Sequence, residues 1–322
     1  MKPQRIGCID TAKGICIALV VAFHCNLHYD ETTDHLLGCI RLPLYYFLLG
    51  LFFKQYDGYY SFIKKKVNKL LIPFFFFYFF TSVLLPAVAH YIFGYQINTV
   101  VGWRSLYAFI TPEEFPNIPI WFLWSLFLIN IIFYFVVLIV GQQHRWVVGI
   151  VAVLLGIGGF ALSYFDYDWI AFIDNTLYYL PFFFFGYSFK RFVNRLRTQI
   201  CWILLVVCLP ISYILSNIQT TQFLSSMLLF YVAGCFGVVF IIVLSSRLGE
   251  VFYLTYIGRY SIMLLVTHCL ILQLFEMAIA WIGLKSLTSN ILTFLLTISS
   301  YAVIIPLMQR YLPYVTAQKD LI

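Results

Sequence analysis

Between short polar interruptions, this chain carries ten apolar runs of a length that crosses a bilayer. They lie near residues 9 to 28, 36 to 53, 70 to 92, 119 to 140, 146 to 164, 173 to 189, 199 to 215, 225 to 245, 257 to 282 and 289 to 309. A membrane-spanning helix needs about 20 mostly apolar residues. The pattern therefore predicts an all-α polytopic membrane protein, one bundle of about ten transmembrane helices, with residues 1–322 forming a single transmembrane domain. No soluble domain, low-complexity linker or internal repeat interrupts the pattern. The longest polar break, about 93 to 118, includes most of TPEEFPNIP, whose prolines preclude regular helix and suit a lid or an acceptor-facing loop. Trp103, Trp121, Trp124 and Trp169 fall near the expected membrane surfaces, where indole rings act as anchors.

Composition and charge narrow this picture. Of 322 residues, 62% are hydrophobic and 10% are charged, whereas a soluble domain is about 25% charged. The net charge of +7 does not imply a nucleic-acid partner, because the cations occupy short loops between apolar runs. With a cytoplasmic N-terminus, only Arg41, Arg104 and Lys285 of the 20 Lys and Arg fall on the outer side. That bias satisfies the positive-inside rule and puts both termini in the cytoplasm. Acidic residues of the loops, including Asp30, Glu31, Asp34, Glu113, Glu114, Asp166 and Asp168, fall outside. Lys2 and Arg5 precede the first run as in a signal peptide, but Asp10 and Lys13 interrupt it without a small-residue cleavage site, so the span is expected to be retained. The eight cysteines form no C-x-x-C pair. Cys16, Cys201, Cys208, Cys235 and Cys269 fall inside apolar runs as small hydrophobes, and neither a disulfide framework nor a metal site is expected.

Ionisable residues inside the spans need a reason, because they are costly there and commonly mark a pathway or a site. Asp10, Lys13 and His24 interrupt the first run. Eleven helical steps bring Lys13 and His24 to within about 20° of one face and separate them by about 16 Å. Asp10, one turn before Lys13, can pair with it. Imidazole is the side chain best suited to take and return a proton near neutral pH; the alternative is an interfacial ion pair and a structural histidine. His28, one turn beyond His24, has no third ligand at metal-site spacing. Arg41 lies at a depth similar to His24 and either binds an acidic acceptor, stabilises an oxyanion or snorkels to headgroups. Lys64, Lys65, Lys66 and Lys69 precede the third apolar run. They serve topology or, with Lys66 and Lys69 on one face near a helix N-terminus, a phosphate site. Arg259 and His268 lie nine residues apart and point to opposite faces of a straight helix. His268 lines the same cavity as His24 or makes a structural hydrogen bond.

This set of segments resembles the acyltransferase 3 family of integral membrane acyltransferases, and within it the fucose acetylase-like sugar O-acetyltransferases of bacterial envelopes. The opening IDTAKGICIALVVAFH is similar to the family signature in which a basic residue precedes a histidine by eleven positions. RLPLYYFLLGLFFK, SFIKKKVNKLLIP, IWFLWSLFLINIIFY, LYYLPFFFFGY and IGRYSIMLLVTH resemble later family segments in the same order. The resemblance implies a ten-helix fold in the bacterial inner membrane. Such a fold would move an acyl group, commonly acetyl, from cytoplasmic acyl-CoA to a glycan hydroxyl at the outer face. It implies that His24 is the base or acyl relay, that Lys13 is its basic partner toward CoA and that Asp10 orients Lys13. By the same resemblance Lys66 and Lys69, with Lys65 beside them, hold CoA phosphates. Three positions depart from the pattern: Lys13 stands for the usual Arg, Arg41 for a frequent His, and Leu49 for the Ser of Ser-Gly. Lys13 keeps the charge but loses the bidentate fork.

The expectation is an O-acyltransferase using acetyl-CoA or another acyl-CoA as donor, with no metal. Arg41 and His268 are expected on the acceptor side. Its partners are the lipid bilayer, the acyl-CoA and a surface polysaccharide or lipid-linked precursor; a homo-oligomer is compatible with it. The competing class is a transporter or flippase for an anionic glycan or metabolite, using Arg41, His24 and His268 as a polar path.

Overall fold

The computed structural model describes residues 7–25, 27, 30–94, 117–167, 172–190, 200–283 and 287–322. Helices dominate, with no strand among the described residues. The first five are α1 (Gly7–His24), α2 (Glu31–Leu51), α3 (Tyr59–Ile92), α4 (Trp121–Val140) and α5 (Arg145–Tyr164). Then come α6 (Ile173–Tyr178), α7 (Leu180–Phe189), α8 (Ile200–Ser216), α9 (Phe223–Leu248), α10 (Phe252–Arg259), α11 (Ser261–Trp281) and α12 (Leu287–Tyr311). Seven stretches are long and apolar enough to cross a membrane: α1, α3, Ile118–Val140 containing α4, α5, α9, α11 and α12. The protein is thus an all-α polytopic membrane protein, as the apolar runs predict. The other expected spans are also helical, in α2, in α6 with α7, and in α8. The expected loop with Trp103, Arg104, Glu113 and Glu114 lies outside the described residues, as do Lys2, Arg5, His28, Asp168, Trp169, Arg191, Arg195, Arg197 and Lys285.

Two compact units divide the chain: residues 1–53, 181–264 and 271–302 form the first, and residues 54–180, 265–270 and 303–322 the second. Small residues let the helices of the first unit meet backbone to backbone. A Cβ at Gly258 would fall 1.9 Å from the Asp10 carbonyl oxygen, and one at Gly14 would fall 2.0 Å from that of Leu254, so α1 and α10 touch along their main chains. Gly50 meets the Phe183 carbonyl and Gly186 that of Phe47, which does the same for α2 and α7. Lipid gives apolar side chains no advantage over one another, so close backbone approach and interhelical hydrogen bonds supply the association. The bonds are present: Thr11 donates to the Gly249 carbonyl over 2.7 Å and lies 3.0 Å from the Thr255 hydroxyl, while Ser212 donates to the Ala233 carbonyl over 2.8 Å. Cys16, a small buried hydrophobe as expected, turns its thiol to the Arg41 carbonyl at 3.1 Å. Gly249, with φ of 67°, ends α9 in the left-handed region and returns its N–H to Ser245.

In the second unit, α3 starts at Tyr59 rather than near residue 70 and contains two wide π turns, Val67–Leu71 and Phe80–Leu84. Each ends two residues before a proline, Pro73 and Pro86. A proline ring clashes with the carbonyl four residues back and offers it no donor, and a widened turn relieves both problems. This corrects the reading of the lysine cluster. The helix begins well before Lys66, so its N-terminal dipole is not at Lys66 and Lys69, and a π turn rather than regular helix follows Lys66. The straight-helix reading of Arg259 and His268 also fails, because Tyr260 (φ −109°, ψ 25°) breaks the span between α10 and α11.

Candidate functional site

At one end of α1, Lys13 Nζ lies 3.6 Å from Asp10 Oδ1, as the one-turn spacing predicts. The other carboxylate oxygen has a partner that spacing did not suggest: Arg259 Nε stands 3.7 Å from Asp10 Oδ2. Gly258, seated on the Asp10 carbonyl, is what brings the next residue of α10 so near. Asp10 is buried, while Lys13 and Arg259 keep about a quarter and a third of their side chains exposed, at 26% and 38%. Lys13 also rests over the Phe52 ring at 4.4 Å. One carboxylate therefore serves two cations.

The opposite end of α1 carries His24, edge-on to Phe23 at 5.2 Å. Arg41 of α2 lies over the same Phe23 ring at 4.0 Å, close enough to His24 to act on its charge, and 3.4 Å from Asp34 Oδ1. Its side chain is only 11% exposed, covered in part by that ring. Beside it opens a cavity of about 570 Å³ lined by Asp34, Arg41, Ser216, Gln219, Ser226 and Phe230. The walls come from the first half of α2, the end of α8 and the start of α9. The rim is tied together by Asp30, the N-cap of α2, which accepts from the Thr33 amide over 3.3 Å and from the Thr32 and Thr33 hydroxyls. Those bonds, led by the one from Thr32, hold its carboxyl below the ordinary value. Asn217, just beyond α8, donates to the Thr32 carbonyl over 3.1 Å.

The lysines of α3 have other partners. Lys65 lies 4.2 Å over Tyr56 and Lys66 lies 5.4 Å from the Phe62 centroid. Burial pushes the Tyr56 phenol up, so it stays neutral beneath its cation. Lys69 donates to the Ala317 carbonyl over 2.5 Å and pairs with Asp320 at 3.7 Å. Asn68, between them, accepts from the amides of Leu321 and Ile322 over 2.7 and 3.1 Å, so the segment 317 to 322 lies along this face of α3. His268 is fully buried in α11, with Nδ1 3.1 Å from the Leu265 carbonyl oxygen.

The acyltransferase 3 family model, described as an acyltransferase domain, matches residues 6–309. The chain belongs to that family. No curated protein and no solved structure matched. Membership makes this membrane protein an acyltransferase and favours that class over the transporter alternative.

Within the first unit, α1 holds three of the expected residues of this acyltransferase, with Asp10 and Lys13 together and His24 eleven residues on, beside Arg41. The lysines of α3 do not form one cluster of shared contacts: Lys65 and Lys66 lie on separate rings and Lys69 on the 317 to 322 segment. The contacts of three residues escaped the sequence reading. The pairing of Arg259 with Asp10 spans most of the chain, and its one local trace is the glycine before it. Asp34 read only as an acidic loop residue and Gln219 drew no reading at all, yet α2, α8 and α9 bring both to one cavity.

Proposed function

We propose that this acyltransferase moves an acyl group, acetyl first among candidates, from cytoplasmic acyl-CoA to a hydroxyl of a surface polysaccharide or its lipid-linked precursor. The observation that carries the reading is the polarity of α1. A carboxylate shared by two cations stands at one end, suited to the phosphates of a CoA donor, and an imidazole beside a buried guanidinium and an open cavity stands at the other. Lys13 and His24 are separated by about 16 Å of helix rise. The charge bias of the loops supports a cytoplasmic Asp10 end with both termini on that side, in the bacterial inner membrane that the family resemblance implies. The chain acts as one transmembrane domain, and Lys65, Lys66 and Lys69 supply further cationic character on the donor side.

In the direct route His24 takes the proton of the acceptor hydroxyl as its oxygen attacks the thioester carbonyl. Arg41 offsets the charge that develops on the carbonyl oxygen. The C–S bond then breaks, the new ester forms, and the CoA thiolate takes up the proton. In the relayed route the imidazole itself attacks the thioester and releases the thiol, and the hydroxyl then displaces the acyl group from nitrogen. A burst of CoA release without acceptor, with trapping of acylated protein, supports the relay; no burst at saturating donor excludes it.

The primary test is transfer of labelled acetyl from acetyl-CoA to envelope glycan in isolated membranes, wild type against His24→Ala at matched protein levels. Transfer that needs His24, with a loss of about a hundredfold or more in the variant, is the expected result. Robust transfer by His24→Ala overturns the mechanism. Failure of both proteins with a panel of acyl-CoA donors overturns the acyl-CoA assignment.

A further inference from the structure

We infer that the cavity at the α2, α8 and α9 ends of the first unit is a subsite for an uncharged pyranose ring of the acceptor glycan, gripped by Arg41, Asp34 and Gln219. The inference rests on the glycan-transfer reading and adds to it a location and a charge class. A space of about 570 Å³ falls in the range of small-molecule pockets, which are mostly apolar with a few convergent polar groups. Here the apolar wall includes Phe230, on which the C–H face of a sugar ring packs. The polar groups are of both kinds that vicinal hydroxyls require. Arg41 only donates, ionised Asp34 only accepts, and the Gln219 amide and the Ser216 and Ser226 hydroxyls do both.

Charge decides between a neutral and an acidic sugar. Asp34 Oδ1 stands 3.4 Å from the Arg41 guanidinium, and His35, the other basic side chain among the lining residues described, lies 3.9 Å from Glu31, so each already has a carboxylate beside it. An acidic sugar binding Arg41 would bring a second carboxylate against Asp34, and like charges in a partly desolvated site repel. A neutral ring instead hydrogen-bonds to both members of the pair without displacing either. Arg41 lies on Phe23, the neighbour of His24, so a glycan seated in the cavity runs toward the catalytic end of α1. This revises the acidic-acceptor role considered for Arg41 from sequence.

The test uses the full chain in lipid nanodiscs and two readouts. Direct binding is measured by saturation-transfer NMR with a panel of neutral hexose, 6-deoxyhexose and N-acetylhexosamine oligosaccharides, and with uronate-containing oligosaccharides of equal length. Initial rates of acyl transfer give KM for acceptor and donor separately. Expected are binding of at least one neutral sugar in preference to its uronate counterpart, and weakening by about tenfold in Asp34→Asn and about threefold in Gln219→Ala, with the donor KM unchanged. Asp34 and Gln219 are exposed enough that neither change threatens folding. Tighter binding of the uronate, no binding by any neutral sugar, or unaltered binding and acceptor KM in both variants overturns the subsite. Asp34-dependent sugar binding in a protein that transfers no acyl group supports the subsite while the transfer reading falls.

Discussion

Cations cluster at two places, around Asp10 in the first unit and along α3 in the second, and the two clusters are held in opposite ways. Lys13 and Arg259 share one buried carboxylate, and the helices that carry them are fixed by glycines pressed onto neighbouring carbonyls. Lys65 and Lys66 rest on aromatic rings, and Lys69 holds an exposed carboxylate and a main-chain carbonyl from the 317 to 322 segment. The first arrangement has no slack, because backbone cannot yield. The second is built of contacts worth about 1 kcal/mol or less each, which an incoming polyanion can replace. A run of lysines in sequence thus marks exchangeable charge, while a lone Lys with an Asp one turn away marks a fixed electrostatic fixture.

The sharpest way to break the contrast is to force the fixed region apart. Gly258→Val places a side chain where even a Cβ would be 1.9 Å from the Asp10 carbonyl oxygen, and we expect a loss of about 3 kcal/mol, read as a fall in thermal midpoint in detergent and loss of transfer. Gly158→Ala on α5, where nothing lies within 4 Å of the added carbon, is the matching control. It should leave stability unchanged or raise it by up to about 1 kcal/mol. Equal damage from both substitutions would refute the claim that backbone contact locks α1 to α10.

Next in size is Asp10→Asn, which keeps the shape but removes the carboxylate charge that Lys13 and Arg259 share. Removing one partner of a fully buried pair costs about 3–5 kcal/mol, and partial exposure of both cations reduces this to about 2 kcal/mol. A double-mutant cycle with Arg259→Gln should show coupling, since the two share one network. Additive losses would mean that the 3.7 Å approach of Arg259 to Asp10 contributes nothing.

The helices themselves were legible in sequence because length and apolarity are local properties: every expected span contains a described helix, although α10 lies mostly before the span expected from residue 257. What was hidden depends on departures from regular helix or on distant partners. The break at Tyr260 lies inside an expected span, with no proline to announce it. Tyr59 to Lys66 is helical although too polar to extend an apolar run, which is why α3 begins earlier than hydropathy indicates. In the site, the pairing of Asp10 with Lys13 followed from helical periodicity. Arg259 on Asp10, and the cavity joining Asp34 to Gln219, are products of packing between segments far apart in sequence. Periodicity along one helix contains no information about them.

A smaller effect tests the exchangeable side. Lys69 and Asp320 are about half exposed, at 48% and 57%, so Asp320→Asn should cost less than about 1 kcal/mol in stability. If Lys69 serves CoA phosphates, the same change removes a competing anion and lowers the donor KM by about threefold, with the effect fading at high salt. A raised donor KM would show instead that Asp320 orders Lys69 for the donor, and the second cluster would then be as fixed as the first.

The smallest expected effect concerns the one carboxylate of the cavity rim that is held by hydroxyls and an amide. Asp30 is fully exposed, and its hydrogen bonds from Thr32 and Thr33 favour the ionised form and depress its pKa in the folded protein. A depressed carboxyl contributes its stabilisation above its unfolded pKa and loses it as pH falls through the folded value. Ordering at the start of α2 should therefore be unchanged through neutral pH and decline only below the ordinary carboxylate range. Amide exchange at Thr33 and Asp34, compared between wild type and Asp30→Asn, reads this directly. Asn retains a side-chain oxygen that caps the helix but no titration, so the acid-induced rise in exchange should vanish in the variant while the neutral-pH value stays close to wild type. Because Asn217 reaches the Thr32 carbonyl from the end of α8, a wild-type rise that also reached Asn217 would show the whole rim loosening as one piece. A rise confined to α2 would show that the rim is held by several independent ties.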